Sequence, residues 1–328
     1  MFIGGSAMNK KERFIEFNSQ LIYFVEWTTN AEKPLGNIVI VHGMAEHINR
    51  YQPFAEYANR KGYNVYGYDQ RGHGFTASSK TDLGLVDDKL GWEHYVSDLS
   101  YVVNKVKEER PNEKLFVFGH SMGSFVSRDF SIRYPELIDG LLISGCTDSY
   151  LSDLLTGITV SKTEKLVKGR KGNAVRVNKL LNDKFAKRFK HRKTDYDWLS
   201  TDPKEVKKYI EDPYSGFCPK TSFFTAFFNG LVNLHEPLTY NRISKKMPVL
   251  MMSGQQDPVT NMGLGTIRLF EKYQAQGVKD LRMKLYPGMR HEIMNEVDKK
   301  SVYKDIINWI EERSNTKLSE VKKHHTAS

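Results

Sequence analysis

The sequence predicts a doubly wound, mostly parallel α/β sheet. Three observations carry that prediction. Short apolar runs alternate with amphipathic helical stretches; the alternation stops after residue 146 and resumes near residue 247; and one apolar run turns through Gly-x-Ser-x-Gly into a helical pattern.

Taken in order, residues 13–27 read as two antiparallel strands around Asn18-Ser19-Gln20. Phe14, Phe17, Ile22, Phe24 and Val25 favour extended structure and a turn separates them. Residues 37–41, 63–68, 114–118, 140–143, 248–252 and 282–286 are the apolar runs expected of strands buried on both faces. Residues 51–61 read as a helix closed by Gly62. Gly91–Glu109 repeats Trp92, Tyr95, Val96, Leu99, Val102, Val103 and Val106 near a 3.6-residue period, and residues 301–313 repeat Val302, Ile306, Trp309 and Ile310. Between 147 and 246 no buried strand is legible, so that stretch is expected to be a helical insertion. The expected organisation is a core of 1–146 with 247–315, a helical cap of 147–246 and a frayed polar tail of 316–328.

The chain has 328 residues, 49 Lys+Arg and 39 Asp+Glu, a formal net charge of +10. Between Ser161 and Lys193 nine Lys and four Arg face only Glu164 and Asp183, so this segment carries +11 and the rest is near neutral. No zinc-finger spacing, RNP motif or basic zipper accompanies the charge, which argues against nucleic acid as a partner. No apolar run approaches the ~20 residues of a membrane span. No secretory signal is legible at the start, where Met8 precedes a plausible mature beginning and residues 1–7 read as an upstream extension. Two cysteines, Cys146 and Cys218, make no disulfide framework, so a reduced cytoplasmic setting is expected.

The chemistry centres on Gly119-His120-Ser121-Met122-Gly123-Ser124, after the apolar run Leu115-Phe116-Val117-Phe118 and before a helical pattern expected to begin near Phe125. A strand that turns at once into a helix strains the serine and leaves its hydroxyl exposed, and glycines on either side avoid clashes with neighbouring chain. A serine nucleophile needs a base oriented by an acid, in the chain order Ser, acid, His. His291 follows the strand at 282–286 and stands at its carboxyl end, where sites on open α/β sheets gather. His191 lies in the basic run, His235 in the insertion, and His324 and His325 in the tail, so His291 is the expected base. Asp257 follows the strand at 248–252 and is the expected acid, an alternative role being a helix N-cap. The backbone N–H of Met122 and of Met44, the latter in the loop His42-Gly43-Met44, are the expected oxyanion donors. His42 reads as a structural hydrogen-bonding histidine. Asp69-Gln70-Arg71-Gly72-His73-Gly74 lacks the glycine order of a dinucleotide or phosphate loop and reads as support for the site. No metal spacing is present and no cofactor is expected.

His42-Gly43-Met44-Ala45-Glu46-His47 with Arg50-Tyr51, Asp69-Gln70-Arg71-Gly72-His73-Gly74, Gly119-His120-Ser121-Met122-Gly123, Gly254 with Asp257-Pro258-Val259, and Gly288 with His291-Glu292 and Asn295-Glu296 resemble the monoacylglycerol lipase and lysophospholipase group of α/β-hydrolases. The order and spacing match from about residue 10 to residue 313. The resemblance implies an eight-stranded core with a helical cap inserted after the sixth strand, Ser121, Asp257 and His291 as a catalytic triad, and Met44 and Met122 as oxyanion donors. Ser124 departs from the group, which usually carries a third glycine there.

The implied function is a serine carboxylic ester hydrolase for monoacylglycerol or lysophospholipid-like esters. Alternatives are an esterase for aromatic, feruloyl-type or short-chain esters, an aminopeptidase on the same machinery, and an inactive hydrolase fold used for binding. Phe223, Phe224, Phe227 and Phe228 occupy one broad helical face, and Tyr150, Leu151, Leu154 and Leu155 begin the insertion. Tyr150, Leu154, Phe224, Phe227 and Phe228 are the candidate acyl-chain contacts; the alternative is that the phenylalanines only pack the cap onto the core. The basic run reads either as a solvated face or as one amphipathic helix. In the second case Leu166, Val167, Val175, Val177, Leu180, Leu181, Phe185 and Phe189 lean with the surrounding Lys and Arg on anionic lipid.

Overall fold

The computed structural model describes residues 9–87, 89–148 and 151–314. The expectations for residues 1–7, Tyr150 and the tail therefore lie outside the described residues.

One sheet has the strand order β1-β2-β4-β3-β5-β6-β7-β8. The strands are β1 (Asn9–Phe17), β2 (Gln20–Thr28), β3 (Gly36–Val41), β4 (Tyr63–Tyr68), β5 (Leu115–His120), β6 (Gly140–Ser144), β7 (Val249–Gly254) and β8 (Leu281–Tyr286). β1 pairs antiparallel with β2, and β2 antiparallel with β4; all remaining pairings are parallel. The hairpin closes on Asn18 and Ser19, both at positive φ (48° and 56°), the backbone of a two-residue turn that matches strand twist.

The run at 282–286 is not buried on both faces as expected: its strand, β8, stands at the sheet edge and leaves Arg282 and Lys284 exposed. The inner apolar runs divide between two cores. Val39, Val41, Leu115, Val117, Leu141 and Ile143 face α2 (Gly91–Glu109) and α3 (Met122–Arg133). The alternate residues Ile38, Ile40, Phe116, Phe118 and Leu142 face α1 (Gln52–Arg60) and α10 (Lys299–Ser314). Each fully buried aliphatic or aromatic side chain contributes roughly 1.5–3 kcal/mol. Covering both faces therefore makes these strands the stable frame, and their carboxyl ends define one edge for the site.

The helical insertion follows β6: α4 (Leu151–Lys168), α5 (Val175–Ala186), α6 (Pro203–Glu211), α7 (Thr221–His235) and α8 (Pro237–Tyr240), with α9 (Leu264–Ala275) after β7. The structure corrects two expectations. First, α3 begins at Met122, directly after Ser121, and not near Phe125. Second, the basic run is not one amphipathic helix. It breaks between α4 and α5, where buried Glu164 accepts hydrogen bonds from Arg176 N–H (3.1 Å) and Val177 N–H (3.3 Å) at the start of α5 and from Lys168 Nζ (2.7 Å). A carboxylate satisfies the free N–H groups and positive dipole end of a helix start, so the one buried acid of this segment ends one helix and starts the next.

Candidate active site

β5 ends at His120 and α3 starts at Met122, so Ser121 alone makes the turn, at φ 51° and ψ −117°. That conformation costs a non-glycine residue roughly 1–3 kcal/mol and is held by its surroundings. Ser121 N–H donates to Ser144 O on β6 (2.9 Å). The flanking glycines are forced by close approach: a Cβ on Gly119 lies 2.5 Å from Gly123 O, and one on Gly123 lies 2.0 Å from Val41 O. Ser124, in place of the group's third glycine, donates its hydroxyl to Ser121 O (2.6 Å).

His291 and Asp257 meet from the ends of β8 and β7. His291 Nδ1–H donates to Asp257 Oδ2 at 2.9 Å, and both side chains are buried. Asp257 also accepts from Val259 N–H (2.8 Å) and Ser253 Oγ (3.4 Å). It does not cap α9, whose N-cap is Gly263. Among the described residues Ser121 Oγ makes no hydrogen bond to His291 Nε2, although both line one cavity. Such contacts commonly tighten only when substrate is bound.

Burial disfavours the charged form of His291. The Asp257 carboxylate, its hydrogen bond, and the Glu292 and Glu46 carboxylates outweigh that, and the imidazole pKa sits above its ordinary value. The neighbouring histidines go the other way. Burial pushes His120 down to about 4 and His42 down to about 3, which keeps both neutral. His42 Nδ1–H donates to Gly43 O (2.8 Å) and its Nε2 accepts from Gln70 N–H (2.9 Å), the structural role expected of it. Burial raises the Asp69 carboxyl to about 6; its oxygens accept from Ile48 N–H (2.8 Å) and Phe75 N–H (2.7 Å), which fastens the loop after β4 beneath the loop after β3.

In that β3 loop Ala45 holds φ 52° and Gly43 N–H donates to Glu46 Oε1 (2.5 Å). The Met44 and Met122 N–H groups have no hydrogen-bond partner among the described residues, and both residues line the cavity. The first N–H groups of a helix have no intrahelical acceptor, so Met122 offers its donor by position alone.

The cavity has a volume of about 740 Å³. Ser121, His291, Glu46 and Glu292 line it with Phe125, Leu154, Val160, Leu181, Phe227, Phe228 and Leu231. Of the candidate acyl-chain contacts, Leu154, Phe227 and Phe228 reach it. Phe224 does not: it is wholly buried beside Phe223 and Phe228, because a face spanning i, i+1, i+4 and i+5 is wider than the cavity wall. His191 is exposed, and His235, away from the cavity, donates Nδ1–H to Leu231 O (2.6 Å) while its Nε2 lies 3.2 Å from Asp148 Oδ1.

One part of the site had no sequence signal. Residues 197–201 of the insertion clamp the histidine loop. Glu292 N–H donates to Leu199 O (2.7 Å) and His291 N–H to Trp198 O (3.4 Å). Arg290 Nη1 donates to Asp197 O (2.5 Å) and Ser200 O (3.1 Å), and Ser200 Oγ to Asn295 O (2.9 Å). Buried Glu296 accepts from Arg290 N–H (2.6 Å), Thr201 N–H (3.0 Å) and the Thr201 hydroxyl. The Trp198 ring lies 5.4 Å from the His291 ring.

Comparison with known proteins gives the family and agrees with the fold. Residues 32–298 match the family described as "Serine aminopeptidase, S33". The "Monoacylglycerol lipase" of Mycolicibacterium smegmatis is 27% identical over 307 residues, covering 93% of this chain and 98% of that one. A solved thermostable carboxyl esterase from Bacillus coagulans superposes with a TM-score of 0.84 at 28% identity, over 94% of this chain and 100% of the other. A soluble variant of monoglyceride lipase from Saccharomyces cerevisiae, solved with a substrate analog, superposes with a TM-score of 0.75 over 95% and 98% of the two chains; at 19% identity it speaks for the fold alone. With the larger part of its length matched, the chain belongs to the serine aminopeptidase S33 family and is a hydrolase of the α/β-hydrolase fold, in the group that resembles the monoacylglycerol lipases.

Proposed function

We propose that the chain is a serine carboxylic ester hydrolase acting on monoacylglycerol or lysophospholipid-like esters through an acyl-enzyme on Ser121. The observation that carries this reading is the strained Ser121 on the wall of a largely apolar cavity that His291, paired to Asp257 at 2.9 Å, also lines. In the first half-reaction His291 Nε2 takes the Ser121 hydroxyl proton while Oγ forms a bond to the ester carbonyl carbon. The resulting oxyanion accepts from the Met44 and Met122 N–H groups. The carbon–oxygen bond to the alcohol then breaks and His291 returns its proton to that alcohol. Water repeats the sequence on the acyl-serine, with His291 as base, and releases the carboxylic acid and free Ser121. Asp257 fixes the tautomer that leaves Nε2 free to accept.

An aminopeptidase needs an unengaged carboxylate to hold the substrate ammonium. The carboxylates lining this cavity are engaged: Glu46 and Glu292 by Arg50, Asp153 by Lys184 (2.9 Å) and Asp183 by Lys179 (3.2 Å). This favours a neutral ester. The apolar wall of Leu154, Phe227 and Phe228 suits an acyl chain, and the M. smegmatis and B. coagulans relatives carry lipase and esterase names.

Substrate delivery forms part of the proposal. Leu166 (88% exposed) and Val167 (78% exposed), with Leu151, Leu155, Val175 and Leu180, stand out from α4 and α5 among the Lys and Arg of 161–193. Among the described residues no helix is long and apolar enough to cross a membrane. A surface of this kind docks peripherally on anionic lipid. The deciding experiment is a substrate panel of monoacylglycerol, lysophosphatidylcholine, feruloyl esters and aminoacyl amides against wild type and Ser121→Ala. Lipid ester hydrolysis lost in Ser121→Ala supports the proposal. Preference for aminoacyl amides, or activity that survives the substitution, overturns it.

A further inference from the structure

The acyl-transfer steps above make no use of Arg50, Glu46 or Glu292, yet these three charged residues bridge the two loops that carry the chemistry. Arg50 Nη1 donates to Glu46 Oε2 (2.8 Å) and to Glu292 Oε1 (2.7 Å), and Nη2 donates to Glu292 Oε2 (2.6 Å). Glu46 belongs to the β3 loop and Glu292 follows His291 directly; in sequence Arg50 and Glu292 are 242 positions apart. Every contact on Glu46 is a donor aimed at it: Gly43 N–H (2.5 Å), Tyr51 OH (2.9 Å) and Arg50. Asn295 Nδ2 donates to Glu292 Oε2 (3.0 Å), and the Tyr209 ring of the insertion covers the guanidinium at 4.9 Å.

We propose that Arg50 is a positioning residue: by bridging Glu46 and Glu292 it holds the oxyanion donor at Met44 and the base at His291 at a fixed separation. This rests on the acyl-enzyme reading above. One observation and two physical arguments support it. Ala45 at φ 52° marks a strained loop that relaxes unless something pins it, and the Glu46 carboxylate pins it at Gly43, next to Met44. A buried ion cluster is a poor source of stability, because desolvation cancels much of its attraction and apolar residues of similar volume often do as well. Only a planar, forked guanidinium spans two carboxylates with paired hydrogen bonds; a lysine ammonium is a point charge. The cluster also sets the field at the base. His291 is faced by Asp257 from the β7 loop, by Glu46, which Arg50 pairs, from the β3 side, by neutral His120 from the end of β5, and has Arg290 and Glu292 as neighbours on its own loop.

The test uses the whole enzyme and p-nitrophenyl acetate, with Arg50→Met, Arg50→Lys and the isosteric Glu292→Gln, each checked for cooperative melting. The expected result is a fall in kcat of ~10–100-fold with KM within about threefold, the scale of a base or donor misplaced by about 1 Å. Arg50→Lys regains only part of the loss. In Glu292→Gln the acidic limb of kcat/KM moves to lower pH, because one carboxylate that favours the imidazolium is gone; a purely structural role leaves that limb in place. If Arg50→Met does not fold, Glu292→Gln decides. A folded Glu292→Gln with wild-type kcat overturns the inference, and so does a raised KM at unchanged kcat, which makes Glu292 a substrate contact. Fluorophosphonate labelling of wild-type Ser121 runs in parallel. An unlabelled wild type sinks the acyl-enzyme reading itself, whereas a labelled wild type with fully active variants sinks only the positioning role.

Discussion

The two halves of the helical insertion relate to the sheet in opposite ways. Residues 196–217 grip the loops after β3 and β8: Trp198 to Thr201 hold the histidine loop, Gly216 N–H donates to Ala45 O (2.9 Å), and His47 meets Asp212 at 2.5 Å. Residues 151–190 line the cavity with Leu154, Val160 and Leu181 on one face and project apolar and cationic side chains outward on the other, with Leu166 and Val167 largely exposed. One insertion thus contains a part bonded to the loops after β3 and β8 and a part that carries the proposed lipid-facing surface. The difference teaches that charge and apolar exposure concentrate in the half whose backbone, among the described residues, is bonded within the insertion and not to the loops after β3 and β8.

The comparison breaks most visibly at Trp198. Trp198→Ala removes a buried ring that packs on His291 and Phe185. It is expected to cost about 3 kcal/mol of stability, at the low end for a buried aromatic because one side faces the cavity, and to lower kcat at the same time. A chemical denaturation curve and steady-state kinetics on a soluble ester read both. Glu296→Gln comes next. Loss of charge-assisted bonds to Arg290 and Thr201 is expected to cost ~1–3 kcal/mol, with kcat again reduced.

The pH profile sharpens the same boundary. In the proposed mechanism His291 must be neutral to act as base, and the carboxylates around it hold its pKa above the ordinary value, so kcat/KM is expected to rise with pH through a midpoint above about 6.5. A midpoint below that value contradicts the field drawn here. Asp212→Asn is smaller. Burial opposes the Asp212 charge, but hydrogen bonds from His47, Tyr214 N–H and Ser215 hold its pKa well below the usual range. Its stabilisation is therefore fully present above the unfolded value of about 3.9 and fades as pH falls from there toward the folded one. The pair is partly exposed, so the loss is held to about 1 kcal/mol. The smallest effect belongs to the projecting half. Leu166→Ser with Val167→Ser is expected to shift stability by no more than ~0.5 kcal/mol and to leave soluble-ester turnover intact. Binding to anionic vesicles falls. Vesicle binding indifferent to salt and to anionic lipid removes the docking proposal.

Legibility in the sequence follows the range of the interactions. Strands 37–41 and 114–118 are readable because both faces are buried, so Ile38 to Val41 and Leu115 to Phe118 are all apolar; the structure differs only by a residue or two at their ends. Ser121 is readable because its constraint is local, set by Gly119, Gly123 and the strand-to-helix turn. Asp257 and His291 follow from chain order and strand ends. The clamp at 197–201 was not readable, since it works largely through backbone carbonyls that any residue supplies. The Arg50–Glu292 pair spans 242 positions and leaves no pattern in a single sequence. Phe224 shows the limit of periodicity: it marks an apolar helical face and not which neighbour each ring meets.

The most direct measurement of the central claim is the mass of the adduct formed with a fluorophosphonate. The structure predicts one adduct per chain on the peptide carrying Ser121, lost in Ser121→Ala together with ester hydrolysis. An adduct elsewhere, or hydrolysis that persists without Ser121, contradicts it.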